Sequence, residues 1–224
     1  MATSVQRLGK DHLMPWKMLA LLVGLQVLVA FVGRSLAPLG PLIGVDLSLT
    51  KAQIGLMPAA LFVGQSVIAL PAGFLTDRIG TKWMLLIAAV CLGGSFMVMT
   101  FVSVYAGMLL MIVLGGVGYG ASHPAANRGI LYWFDAKKRG TAMGIKQMGI
   151  TAGSALSALL LLPLANVWGW RPAVILASVL LVIVGLAVFM LFRDPEGWQR
   201  RNLQLNRHVF LVDWLRWRKT ERSF

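Results

Sequence analysis

Acidic side chains are what this chain has least of. Eight Asp and Glu stand against 21 Lys and Arg in 224 residues. Asp46, Asp77, Asp135 and Glu196 all fall at the ends of apolar runs or in the turns between them. No metal-binding cluster, P-loop, nucleophile elbow or catalytic triad spacing is present, so no enzyme, cofactor or metal site is expected. A single cysteine, Cys91, lies inside an apolar run and excludes an intrachain disulfide. Charged residues make up only 13% of the chain, too few for an ordinary soluble domain. The first apolar run has no small-residue cleavage site after it, so no removable signal peptide is expected.

What the chain does have is hydrophobic length. Hydrophobic residues reach 58% and the mean hydropathy is +0.75. Runs long enough to cross a bilayer recur throughout, which predicts an all-α polytopic membrane protein with six spans. They are expected at about residues 17–44, 51–75, 83–100, 105–134, 140–166 and 172–192. Pro38 and Pro41 predict a bend in the first. Thr50-Lys51-Ala52-Gln53 has capping-box spacing and marks the start of the second. A leader (1–16), a bundle (17–192) and a basic amphipathic tail (193–224) are the expected segments. In the tail Trp214 and Trp217 alternate with arginines, which suits a helix lying on the lipid surface or a connector whose aromatics pack on protein. The leader, the tail and two of the turns hold sixteen Lys and Arg against two, Lys51 and Arg171, in the other turns. That asymmetry predicts cytoplasmic termini. It also explains the net charge of +13 through lipid contact, without nucleic acid.

One connection is distinctive. Gly73, Leu75, Asp77, Arg78, Gly80 and Lys82 fall in the spacing G-x-L-x-D-R-x-G-x-K between the second and third runs. An ordinary basic turn explains the bases but neither Asp77 nor the two glycines. The spacing resembles the signature loop between helices two and three of the major facilitator superfamily. The resemblance implies a conformational role for this loop, with Asp77 meeting a helix N-terminus or a base of a partner bundle.

A shift of 89 residues superposes the two halves of the bundle, about 17–103 and 104–192. It pairs Asp46 with Asp135, Gly64 with Gly153, Gly80 with Gly169 and Lys82 with Arg171. Three spans per half make the second copy inverted relative to the first, the nested repeat of such transporters.

Three bases fall inside spans: Arg34, Arg128 and Lys146. A charge near the bilayer centre costs about 2.5–3.5 kcal/mol, so function is the default reading. Arg34 lies about 25 Å from Lys17 along a helix and is beyond snorkelling reach of either face. Arg128 is near enough to its end to snorkel. Lys146 and its neighbour Gln147 lie on adjacent helix faces, so at most one points straight into a cavity. His123 and Asn127 share a face of span four, and the 89-residue shift makes His123 the counterpart of Arg34. A cavity holding bases and no acids attracts anions. Arg34, His123, Asn127, Lys146, Gln147 and Arg128 are therefore the candidate substrate-binding residues.

The run from Gly118 through Pro124-Ala125, Trp133-Phe134, Arg139-Gly140 and the glycines 144, 149 and 153 resembles the anion:cation symporter branch and its nitrate- and cyanate-type relatives. That likeness implies a small anionic substrate, proton or other ion coupling, and a bacterial inner membrane. It also points to Arg34 as the span-one arginine that holds the anion in organophosphate members. The branch's span-four arginine is Met111 here. Complete members have twelve spans, so a second six-helix bundle is expected as partner. The alternative is a membrane anchor or scaffold derived from a half-transporter, which needs only the spans and the tail.

Overall fold

The computed structural model describes residues 13–194. The leader up to residue 12 and the tail from residue 195 lie outside them, and with them the reading of Trp214 and Trp217. The described residues form eight α-helices: α1 (Met14–Gly33), α2 (Leu36–Asp46), α3 (Lys51–Ile79), α4 (Thr81–Met99), α5 (Tyr105–Trp133), α6 (Ala136–Leu156), α7 (Leu162–Trp168) and α8 (Trp170–Leu191). They compose six helices long and apolar enough to cross a membrane, because α1 with α2, and α6 with α7, each form one span.

The first span starts at Met14, three residues before the expected Lys17, with Pro15 in its first turn, where a missing N–H costs nothing. It breaks at Arg34 and Ser35, upstream of the prolines that predicted a bend. Pro38 has no N–H to offer the Arg34 carbonyl, which instead takes a 3.3 Å bond from Ala37 N–H. The second span opens on the expected capping box. The Gln53 amide donates to Thr50 Oγ1 at 3.3 Å, and Thr50 N–H donates to Gln53 Oε1 at 2.8 Å.

The signature stretch is not the loop its composition suggests. The helix expected to end near Leu75 continues to Ile79, and Gly80 alone turns the chain before α4 begins at Thr81. Polar residues there mark the edge of the apolar zone, while the backbone ladder runs on through them. The far turn behaves alike: α7 runs to Trp168 and only Gly169 separates it from α8.

These two glycines make the internal repeat visible. Gly80 has φ 92° and ψ 161°, and Gly169 has φ 89° and ψ 158°. Gly80 N–H bonds the Thr76 carbonyl and Gly169 N–H bonds the Ala165 carbonyl, partners that are themselves 89 residues apart. Packing obeys the same exchange. Span four lies along spans two and three; span one lies along spans five and six. Swapping one with four, two with five and three with six reproduces this pattern. Gly64 and Gly153, also a matched pair, sit where a methyl group would strike a backbone carbonyl, Val113 and Val27 respectively. Each lets two helix backbones touch, the usual means of close helix packing in lipid.

Candidate functional site

The break in span one sets the first charged group. Arg34 caps α1, and the preceding Gly33 lies against the Tyr119 ring so closely that a Cβ there would collide with it. The ring is thereby held beside the break. The Arg34 guanidinium stands 5.2 Å from the Phe62 ring centroid and 5.6 Å from that of Tyr119. Spans one, two and four each contribute one of these side chains. Aromatic faces attract a guanidinium but take none of its N–H bonds, which radiate in its plane. No hydrogen bond or carboxylate among the described residues engages Arg34.

Tyr119 also receives the second group. His123, one turn on, meets it edge to face at 5.2 Å. The repeat partners Arg34 and His123 are thus gathered on one ring near the middle of span four. Deeper in the core, Gln26 Nε2 donates to the Ser122 carbonyl at 3.1 Å and fastens span one to span four beside that ring.

Lys146 lies a further turn along. It is 5% exposed, and its ammonium donates to Asn127 Oδ1 at 2.6 Å. Gln147, next in sequence, is on the exposed side of α6. Spans four and five touch little elsewhere, so this bond bridges them.

Arg128 has a different partner. Its Nη2 pairs with Asp77 Oδ1 at 2.6 Å, tying the end of span two to span four. The signature acid therefore closes on a base of its own bundle. Arg78 lies in the last turn of α3 and is exposed. Lys82 Nζ sits 4.4 Å from the Phe189 ring centroid. Gly73 and Leu75 fall within the helix.

At the opposite end a second cluster fastens spans one, three and six. Arg171 Nη1 meets Asp46 Oδ2 at 2.6 Å, Trp170 Nε1 donates to the same oxygen at 3.0 Å, and Arg171 Nε donates to the Thr100 carbonyl at 3.1 Å. In the sequence Asp46 and Arg171 stand out as turn residues and as members of repeat pairs, not as partners of each other. Tyr119 and Phe62 do not stand out at all, since aromatics in apolar runs read as packing. The one signal for Tyr119 is its place four residues before His123.

Across the middle of the bundle the charged groups are all basic. Between Asp46, Asp77, Asp135 and Asp194 no acid occurs at all. The arrangement presents fixed positive charge and free N–H donors on Arg34, and among the described residues it lacks a nucleophile poised beside a base.

Comparison with known proteins agrees with the architecture. The family profile described as Major Facilitator Superfamily matches residues 22–222. The chain is 28% identical over 186 residues to a protein named "Probable sulfoacetate transporter SauU" from Cupriavidus necator, covering 80% of this chain and 42% of that protein. It is 32% identical over 181 residues to "Probable nitrate transporter NarT" from Staphylococcus aureus, covering 77% and 44%. The chain therefore spans less than half the length of these relatives. Among solved structures, the inward-facing, occupied form of a bacterial homologue of the human lysosomal transporter Spinster superposes with TM-score 0.72 at 20% identity, covering 84% of this chain and 47% of that one. The inward-open xylose transporter XylE from E. coli superposes with TM-score 0.68 at 14% identity, covering 88% and 56%.

Proposed function

This chain belongs to the major facilitator superfamily, and on that premise we propose that it supplies one six-span half of a secondary transporter for a small anion. Alternating access then arises as this bundle rocks against a second six-helix bundle, with substrate held at the interface near the membrane midplane. The positive-inside asymmetry supports a topology with both termini and the signature end cytoplasmic, and the bacterial relatives support an inner-membrane setting. Coupling to a proton or another ion completes the reading, and His123, the one histidine in a span, is the side chain suited to it.

The observation that carries the proposal is Arg34. It sits at a helix break near mid-membrane, ring-flanked on two sides, and among the described residues no carboxylate and no hydrogen-bond acceptor claims its N–H groups. A membrane anchor has no use for a charge held that way, whereas an oxyanion is a matched partner for a planar fork. The names of the relatives, nitrate and sulfoacetate transporters, point to the same substrate class.

The test is anion affinity of the chain in lipid nanodiscs, titrated calorimetrically with nitrate and with sulfoacetate. Each charge-assisted hydrogen bond contributes about 1.5–3 kcal/mol, so losing two in Arg34→Ala should weaken binding by at least about 100-fold. Arg34→Lys keeps the charge and loses the fork, and should weaken binding by about tenfold or more. Both variants should insert normally. Wild-type affinity in the alanine variant would make Arg34 structural and remove the anion reading.

A further inference from the structure

The half-buried Arg34 and the buried Lys146 stand at different levels of span four. Arg34 is at the level of Tyr119, and Lys146 is bonded to Asn127, eight residues farther along the same helix. At 1.5 Å per residue the backbone levels of Tyr119 and Asn127 are about 12 Å apart along span four. His123 lies between them, against the Tyr119 ring. Resting on the anion reading above, we infer that Lys146 and Asn127 form a second, weaker anion station between Arg34 and the signature end of the bundle.

Three features of Lys146 support this. The side chain is nine-tenths buried, yet its one hydrogen-bond partner among the described residues is the neutral amide oxygen of Asn127. An ammonium has three donors, so two remain for a ligand. Asp77, on span two, is paired with Arg128, one residue past Asn127, and no ion pair among the described residues reaches Lys146. A buried cation without a counter-charge is costly, and an arriving anion relieves that cost.

The station has a mechanical use. A substrate gripped only by the Arg34 fork leaves slowly, and passage needs binding that is strong enough to enter and weak enough to leave. A point charge on a flexible stem, already sharing one donor with Asn127, holds an anion less tightly than a planar fork does. An anion moving from Tyr119 to Asn127 exchanges the tight grip for the loose one before reaching water. Because the Lys146–Asn127 bond joins spans four and five, as the Arg139 Nη2 bond to the Leu131 carbonyl also does, an anion that draws the ammonium away from Asn127 loosens one of the two ties of that seam as it passes.

The experiment is a nitrate titration of the whole chain in nanodiscs with 15N-labelled lysine, following the Lys146 Nζ resonance, assigned by its absence in Lys146→Arg. The expected result is a saturable shift whose midpoint lies at least tenfold above the calorimetric Kd. That midpoint should move less than about threefold in Arg34→Ala, while the tight calorimetric component disappears. Asn127→Asp gives the ammonium a carboxylate partner and should abolish the shift. A Lys146 response that follows the calorimetric Kd and vanishes with Arg34 would mean one shared site and overturn the inference. So would no response, or an equal response to gluconate at the same ionic strength, which would be screening alone. The calorimetric arm separately reports on Arg34, so failure of the anion reading and failure of the second station give different results.

Discussion

Separating Asp77 from Arg128 should destabilise the bundle by an amount the geometry bounds. The 2.6 Å Nη2–Oδ1 contact is in the charge-assisted range, and the side chains are 31% and 23% exposed. Fully exposed pairs contribute about 0.2–1 kcal/mol, while removing one partner of a buried pair costs about 3–5 kcal/mol. A coupling of about 1–2 kcal/mol lies between these limits and fits partial burial. The perturbation is a double-mutant cycle of Asp77→Asn, Arg128→Gln and the pair, with stability read by reversible denaturation in mixed micelles. Arg128→Gln should be the worse single change, because it leaves a carboxylate at a helix end without its base. Raising salt from about 0.1 M to 1 M shortens the Debye length from about 10 Å to 3 Å and should reduce the coupling without abolishing it. In the complete transporter, Asp77→Asn should slow turnover and leave substrate affinity nearly unchanged. Single-mutant effects that add within about 0.5 kcal/mol would show that the two side chains are independent and refute the coupling.

Gly80→Ala and Gly169→Ala each place a side chain at φ near +90° with extended ψ, a region essentially reserved for glycine, and each should cost about 1–3 kcal/mol in the same denaturation assay. Equal tolerance of alanine there would contradict the turn geometry. Gly153→Leu should part spans one and five, lowering thermal stability and the yield of folded protein. Gly144→Ala, whose added methyl would meet nothing within 4 Å, should be neutral or stabilising by up to about 1 kcal/mol. From sequence alone, Trp214→Ser with Trp217→Ser should weaken binding of a 198–224 peptide to anionic vesicles, and salt-indifferent binding would remove the interfacial reading.

The spans were legible because apolar length and capping chemistry are local properties. Thr50 and Gln53 needed only each other to announce a helix start. The repeat was legible because glycine is demanded by backbone geometry, and Gly80 and Gly169 proved to share one conformation. One expectation failed because hydropathy reports the environment and not the backbone: the helix through Gly73–Ile79 outlasts its apolar stretch. The break at Arg34 lies in the span where the prolines predicted a bend, four residues before Pro38. The pairing of Arg128 with Asp77 was hidden for another reason. The two side chains are 51 residues apart on different helices, and sequence depth alone left Arg128 equally suited to a cavity or to the surface. Phe62 was illegible because a ring that flanks a cation and a ring that fills a core have the same one-letter signature.

The one-signed middle of the bundle has a consequence for anyone handling the protein. Arg34 and Lys146 have no acid in the middle of any span to offset them, so on the proposed anion reading the anion-free molecule would carry electrostatic stress that a fitting anion would remove. Such an anion would be a stabilising ligand in the ordinary mass-action sense, adding about 2.7 kcal/mol at a hundred times its Kd. The choice of salt during purification then becomes a choice of ligand. Melting temperatures compared between chloride, nitrate and bulky organic anions at equal ionic strength should rank those anions by how well they fit the bundle, before any transport is measured.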